Sequence, residues 1–114
     1  MKYALLIYSQ DASERWERMS EKEQEALIGE YRAITQDSRV LASEQLQPVD
    51  TATTVRVNGA DALTTDGPFA DTKEILGGFY LVEADNLDGA LELAARIPAA
   101  RMGGAVEVRP IVER

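Results

Sequence analysis

The chain opens with an apolar run, Tyr3-Ala4-Leu5-Leu6-Ile7-Tyr8, so residues 2–9 read as a strand apolar on both faces, Leu5 and Ile7 against Ala4 and Leu6. Ser13 and Trp16 fall in a connecting segment with room for a short helical turn. Ser20 and Glu23 have capping-box spacing and predict a helix to about Ser38. Its apolar stripe is Leu27, Ile28, Tyr31 and Ile34, with Glu21, Glu25, Glu30 and Arg32 on the wet side. A second strand is predicted at about Val40–Leu46, ended by Pro48. The segments around Thr53–Val57 and Ala62–Thr65 flank Asn58-Gly59, a hairpin signal, and the alternation in the first arm suits a half-exposed ribbon. The segment around Phe79–Ala84 is again two-sided, Phe79 and Leu81 against Tyr80 and Val82. Asp85 or Asn86 then caps a helix through Ile97, with Leu87, Ala90, Leu91, Ala94 and Ile97 at helical spacing and Pro98 as its stop. After Gly103-Gly104 a last strand is predicted over about Ala105–Val112, Val106 and Val108 on one face and Glu107 and Arg109 on the other.

The order is β-α-β-(hairpin)-β-α-β, which predicts an α+β, ferredoxin-like sandwich with an inserted hairpin, residues 1–114 forming one domain. Both helices then cover one face of an antiparallel sheet. The two-sided strands leave the opposite face bare, with Tyr80 and Val82 expected on it, and a second copy of the chain is expected to cover that face as a homodimer.

Between the hairpin and the next strand lies the most distinctive stretch, Asp66-Gly67-Pro68-Phe69-Ala70-Asp71-Thr72-Lys73-Glu74-Ile75-Leu76-Gly77-Gly78-Phe79-Tyr80. Asp66 is suited to an Asx-turn, while Pro68 restricts the residue before it. Asp71 and Glu74 have capping-box spacing, so about one helical turn is expected to begin at Thr72. Gly77-Gly78 is expected to stop that turn and let the chain enter a strand at Phe79.

Charge and composition narrow the function. Twelve basic against 20 acidic residues give the 114-residue chain a formal net charge of −8, which disfavours nucleic-acid and anionic-membrane partners. There is no cysteine and no histidine, so disulfides, thiolate nucleophiles, imidazole bases and the usual zinc sites are excluded. The apolar run at the N-terminus is too short for a signal peptide, nothing reaches transmembrane length, and a cytoplasmic location is expected.

Asp66-Gly67-Pro68-Phe69, followed by Thr72-Lys73-Glu74 and Gly77-Gly78-Phe79-Tyr80, resembles the signature of the DGPF branch of the YCII-related family. Met1-Lys2-Tyr3 with Leu6-Ile7-Tyr8, Leu46-Gln47-Pro48 and Val106-Glu107-Val108-Arg109-Pro110 fit the same family, so the resemblance spans essentially the whole chain. It implies a ferredoxin-like domain that pairs as a dimeric α/β barrel. Some of its members resemble muconolactone-type isomerases and dehalogenating lyases in fold, and the wider family has a suggested His–Asp pair. With no histidine here, only the acidic member has a counterpart, Asp66.

Asp66 is therefore the candidate catalytic residue, either a general base or acid in a water-excluding cleft or a carboxylate that only shapes its loop. Lys73 can pair with Asp66 or hold an anionic substrate, or stand solvated. Glu44 lies in an apolar strand, facing either solvent or a cleft. Arg109 is a carboxylate binder that shares a strand face with Glu107, and Tyr8 can present its hydroxyl at the end of the first strand. Asp61, Asp66, Asp71 and Glu74 match no metal-loop spacing, and neither a metal nor a cofactor is expected. Two readings remain open. One is cofactor-free acid–base chemistry of the isomerase or lyase type on a small organic metabolite; the other is a non-catalytic ligand-sensing or protein-docking module.

Overall fold

The computed structural model describes residues 1–70 and 72–114. The chain runs β1 (Lys2–Ser9), α1 (Ala12–Arg18), α2 (Glu21–Thr35), β2 (Val40–Gln45), β3 (Thr53–Asn58), β4 (Asp61–Asp66), β5 (Ile75–Glu83), α3 (Leu87–Arg96) and β6 (Ala105–Pro110). Strands β2-β5-β1-β6 form one antiparallel sheet in that order, and β3 and β4 pair separately as a two-stranded ribbon turning at Gly59-Ala60. The result is an α+β arrangement consistent with a ferredoxin-like fold.

Local signals set both long helices. The Ser20 hydroxyl accepts from the Glu23 N–H at 3.1 Å while the Glu23 carboxylate accepts from the Ser20 N–H at 3.1 Å, so two orphan donors at the start of α2 are satisfied reciprocally. Those hydrogen bonds, with the Ser20 backbone contributing most, hold the Glu23 carboxyl below its ordinary value. At α3, Asn86 Oδ1 accepts from the Gly89 N–H. The buried side of α3 is Ala90, Leu93 and Ala94, continued by Ile97; the expected Leu87 and Leu91 instead point outward. Ile28 likewise leaves the predicted stripe of α2, while Ile34 is fully buried.

The core lies between the helices and one face of the sheet, where Tyr3 and Leu5 of β1 and Tyr80 and Val82 of β5 meet Ile34, Ala90, Leu93 and Ile97. This corrects the expected face assignment. Tyr80 and Val82 are 4% and 0% exposed beneath the helices, and the uncovered face carries their neighbours Phe79 and Leu81. Both faces of β5 are apolar, so periodicity alone does not say which one the helices choose. Tyr80 can be buried because its phenol oxygen lies 3.4 Å from the Tyr31 carbonyl and 3.4 Å from the Thr35 hydroxyl.

The segment before β5 also departs from expectation. No helical turn forms at Thr72: Lys73 and Glu74 make a bend, and β5 begins at Ile75. The Thr72 hydroxyl donates to the Glu74 carbonyl at 2.6 Å, a local bond that competes with helix formation. Asp71, half of the predicted capping box, lies outside the described residues. Gly77 and Gly78 do not end anything; they run inside the strand. The β1–β5 register slips between Ile7 and Tyr8, passing over Gly77, and a Cβ on Gly78 would come within 2.9 Å of the Glu44 carbonyl oxygen. Glycine there lets β2 pair closely, a need that belongs to the sheet and not to the local chain.

Candidate ligand cleft

The uncovered sheet face follows from strand register, since residues paired across strands point the same way. Ala4 pairs with Leu81 and Arg109, Leu81 with Ala42, Leu6 with Phe79 and Glu107, and Phe79 with Glu44. Its centre is therefore Ala4, Leu6, Phe79 and Leu81, all half-buried, with charged groups on the outer strands. Glu44 on β2 and Arg109 on β6 stand at opposite edges, three strand spacings or about 14 Å apart, so they do not meet.

At one end of this face an open cleft of about 480 Å³ is lined by Tyr8, Ala70, Thr72, Glu74, Ala105, Val106 and Glu107. Tyr8 is opposite Ala105 on β6, and Glu107 follows two residues on, pointing to the same side. Gly104 makes this juxtaposition possible, because a Cβ there would collide with the Tyr8 carbonyl oxygen. Glu74 reaches the cleft from the bend that the Thr72 hydroxyl closes. Two carboxylates and a phenol thus line the cleft together with Ala70 and Ala105, while the Val106 side chain, opposite Ile7, packs against the core. Arg109 donates to Glu107 Oε1 at 2.6 Å, a pair within one strand and not across strands, both side chains being substantially solvated. Such a lining accepts hydrogen bonds from a ligand at the carboxylates and can donate one from Tyr8.

The structure brings some sequence candidates to the cleft and leaves others apart from it. Tyr8 lines it; Arg109 touches it through Glu107; Glu44 is on the far edge of the open face. Asp66 ends β4, opposite Thr53, and is exposed. Its turn is closed by neighbours: the Gly67 N–H donates to the Ala52 carbonyl at 2.7 Å and the Thr54 hydroxyl to the Gly67 carbonyl at 2.7 Å. Among the described residues no backbone N–H donates to the Asp66 carboxylate, so the expected Asx-turn is not formed there. Lys73 is exposed in the bend and does not line the cleft. Glu74, which sequence spacing assigns to a helix cap, is the lining residue that the sequence hides. Among the described residues no group of three or more acidic side chains is placed to hold a metal ion.

A second hollow of about 300 Å³ beside α2 is lined by Glu30, Ala33, Ile34, Arg96 and Arg101. Its cations are already engaged, Arg101 with Glu30 and Arg96 with Asp37, which makes it a structural seam. No helix of the described residues is long and apolar enough to cross a membrane.

A small antiparallel α+β protein with a bare sheet face and a carboxylate-lined cleft at one end is the class these features define. The chain belongs to the YCII-related domain family, which matches residues 1–114. It is similar to an uncharacterized protein of Rhizobium meliloti (strain 1021), at 33% identity over 117 residues, covering 97% of this chain and 92% of that relative.

Proposed function

We propose that this protein, as a member of the DGPF branch of its family, binds a small organic metabolite in the cleft at Tyr8 and that two copies pair through their open sheet faces as a dimeric α/β barrel. The observation that carries the reading is the convergence of Tyr8, Glu74 and Glu107 beside Ala70 and Ala105. Tyr8 and Glu107 share the bare face, so a second copy laid across it roofs the cleft and excludes water from it. In that setting a carboxylate takes a proton from the substrate and a neighbouring acid returns one, which is isomerase- or lyase-type chemistry without a cofactor. Asp66, exposed at the end of β4, does not line the cleft, while Arg109 steadies the Glu107 carboxylate. Lys73 and Glu44 stand apart from the cleft, Lys73 exposed in the bend before β5 and Glu44 on the opposite sheet edge.

A ligand-sensing or docking module is the second reading, favoured by the absence of histidine and by the engagement of Glu107 with Arg109. A thermal-shift screen against small metabolites tests both. A true ligand present at 100 times its dissociation constant stabilises the native state by about 2.7 kcal/mol. That shift is expected to shrink sharply in Tyr8→Phe and Glu107→Gln, and turnover of the hit separates enzyme from sensor. A hit that stabilises both variants as well as the wild type would remove the cleft as its site.

A further inference from the structure

The β3–β4 ribbon is bare where a stable ribbon should be covered. Register puts Thr53, Val55 and Val57 of β3 on one face with Asp66, Thr64 and Ala62 of β4. Val55 and Val57 are 60% and 70% exposed. Two strands alone are marginally stable in water and need a third strand or a packed layer. On its other face the ribbon is braced internally: the Arg56 guanidinium lies 4.6 Å from the centroid of the Phe69 ring, and the Thr54 hydroxyl holds the Gly67 carbonyl. It is a stiffened arm with one apolar side open.

Overall dimensions show how far the chain departs from a compact monomer. The molecule measures 46 × 43 × 19 Å with a radius of gyration of 16.1 Å. A compact chain of this length has a radius of about 13 Å, and four strands side by side span only about 19 Å. The accessible surface is 8197 Å², against about 6,200 Å² for a compact monomer of this mass. The excess is about 2,000 Å² per chain, or about 4,000 Å² for a pair, within the range of permanent homodimers. The bare sheet face and the bare ribbon, with Val55 and Val57 on it, are apolar surfaces that contribute to it.

We propose that the β3–β4 ribbon is an interface arm that lays its Val55–Val57–Ala62 side on a second copy of this chain. Among the described residues the arm is hydrogen-bonded to no strand of the four-stranded sheet, and on this proposal it lies over the neighbour when two open faces meet. Asp66 is on the covered side of the arm, which carries it to the interface. The inference rests on the pairing proposed above, and the experiment separates the two.

Sedimentation of wild type, of Val55→Asp/Val57→Asp, and of the opposite-face control Thr65→Ser supplies the first readout. Hydrogen exchange of residues 53–66 across the dissociation range supplies the second. The expected result is a dimer whose dissociation constant rises about tenfold or more in the double variant and little in the control. Ribbon amides in the wild type should gain protection as concentration rises. A dimer of unchanged affinity, with exchange independent of concentration, overturns the arm and leaves the pairing intact. A monomer at every concentration overturns both.

Discussion

Asp37 joins the ends of two helices. Its carboxylate accepts from the Arg39 N–H and Nε at 2.9 and 3.0 Å, from Arg39 Nη2 at 2.9 Å, and from Arg96 Nη1 of α3 at 3.4 Å. Arg39 also reaches Glu92 of α3 at 3.4 Å. The hydrogen bonds from Arg39, side chain first and then backbone, hold the Asp37 carboxyl well below the usual carboxylate range. A depressed folded-state pKa contributes stability above the unfolded value, near 4, that is lost as pH falls toward the folded value. Asp37→Asn is thus expected to cost about 1–2 kcal/mol at pH 7. The gap to wild type should narrow as pH drops below about 4. Urea unfolding at pH 7 and pH 3 reads both; a gap that widens in acid would contradict the assignment.

Gly104 belongs with Asp37 as a single position on which a larger feature depends. A Cβ there meets the Tyr8 carbonyl oxygen and, at 3.0 Å, the Ala99 carbonyl oxygen, both backbone atoms that cannot swing away. Gly104→Ala is therefore expected to destabilise by about 1–3 kcal/mol. It should also displace β6 from Tyr8, so any compound that binds the wild-type cleft should bind the variant more weakly in titration calorimetry.

Strand β5 makes the same argument over nine residues. It is paired on both edges, with β1 and β2, and Gly78 meets the Glu44 carbonyl closely. Gly78→Ala should push β2 outward and lower stability by about 1–2 kcal/mol, measured by denaturant unfolding. This strand also marks the limit of what the chain discloses before it folds. Capping-box and Asn-cap chemistry act within four residues, so Ser20–Glu23 and Asn86 are legible as helix starts, and the apolar run of β1 is bounded as its pattern suggests. Gly77-Gly78 reads as a break because the reason for it, the approach of β2, lies more than thirty residues away in the chain. The helix-facing side of β5 is hidden for the same reason. In the cleft, Tyr8 stands out as a strand-end hydroxyl. The approach of Glu74 depends on a bend whose closing bond, Thr72 hydroxyl to Glu74 carbonyl, has no periodic signature.

Across the whole molecule, surface and charge pull in opposite directions. The bare face centred on Leu6, Phe79 and Leu81 and the excess accessible area favour pairing. A formal net charge of −8 on each chain opposes it, because two copies brought together repel. Repulsion between solvent-exposed charges is screened beyond about 10 Å at 0.1 M salt, whereas apolar burial is not weakened by salt. The proposed dimer should therefore tighten between low and moderate ionic strength, the reverse of what a contact built on opposite charges would do. Leu81→Glu adds a carboxylate to the centre of the face and should shift the population to monomer, while its outward position leaves the Tyr3–Leu5–Val82 core packed. Sedimentation equilibrium of wild type and Leu81→Glu at 20 and 200 mM salt measures both effects. If dimerisation weakens as salt rises, ion pairs and not the apolar face hold the copies together, and the roofed cleft loses its physical basis.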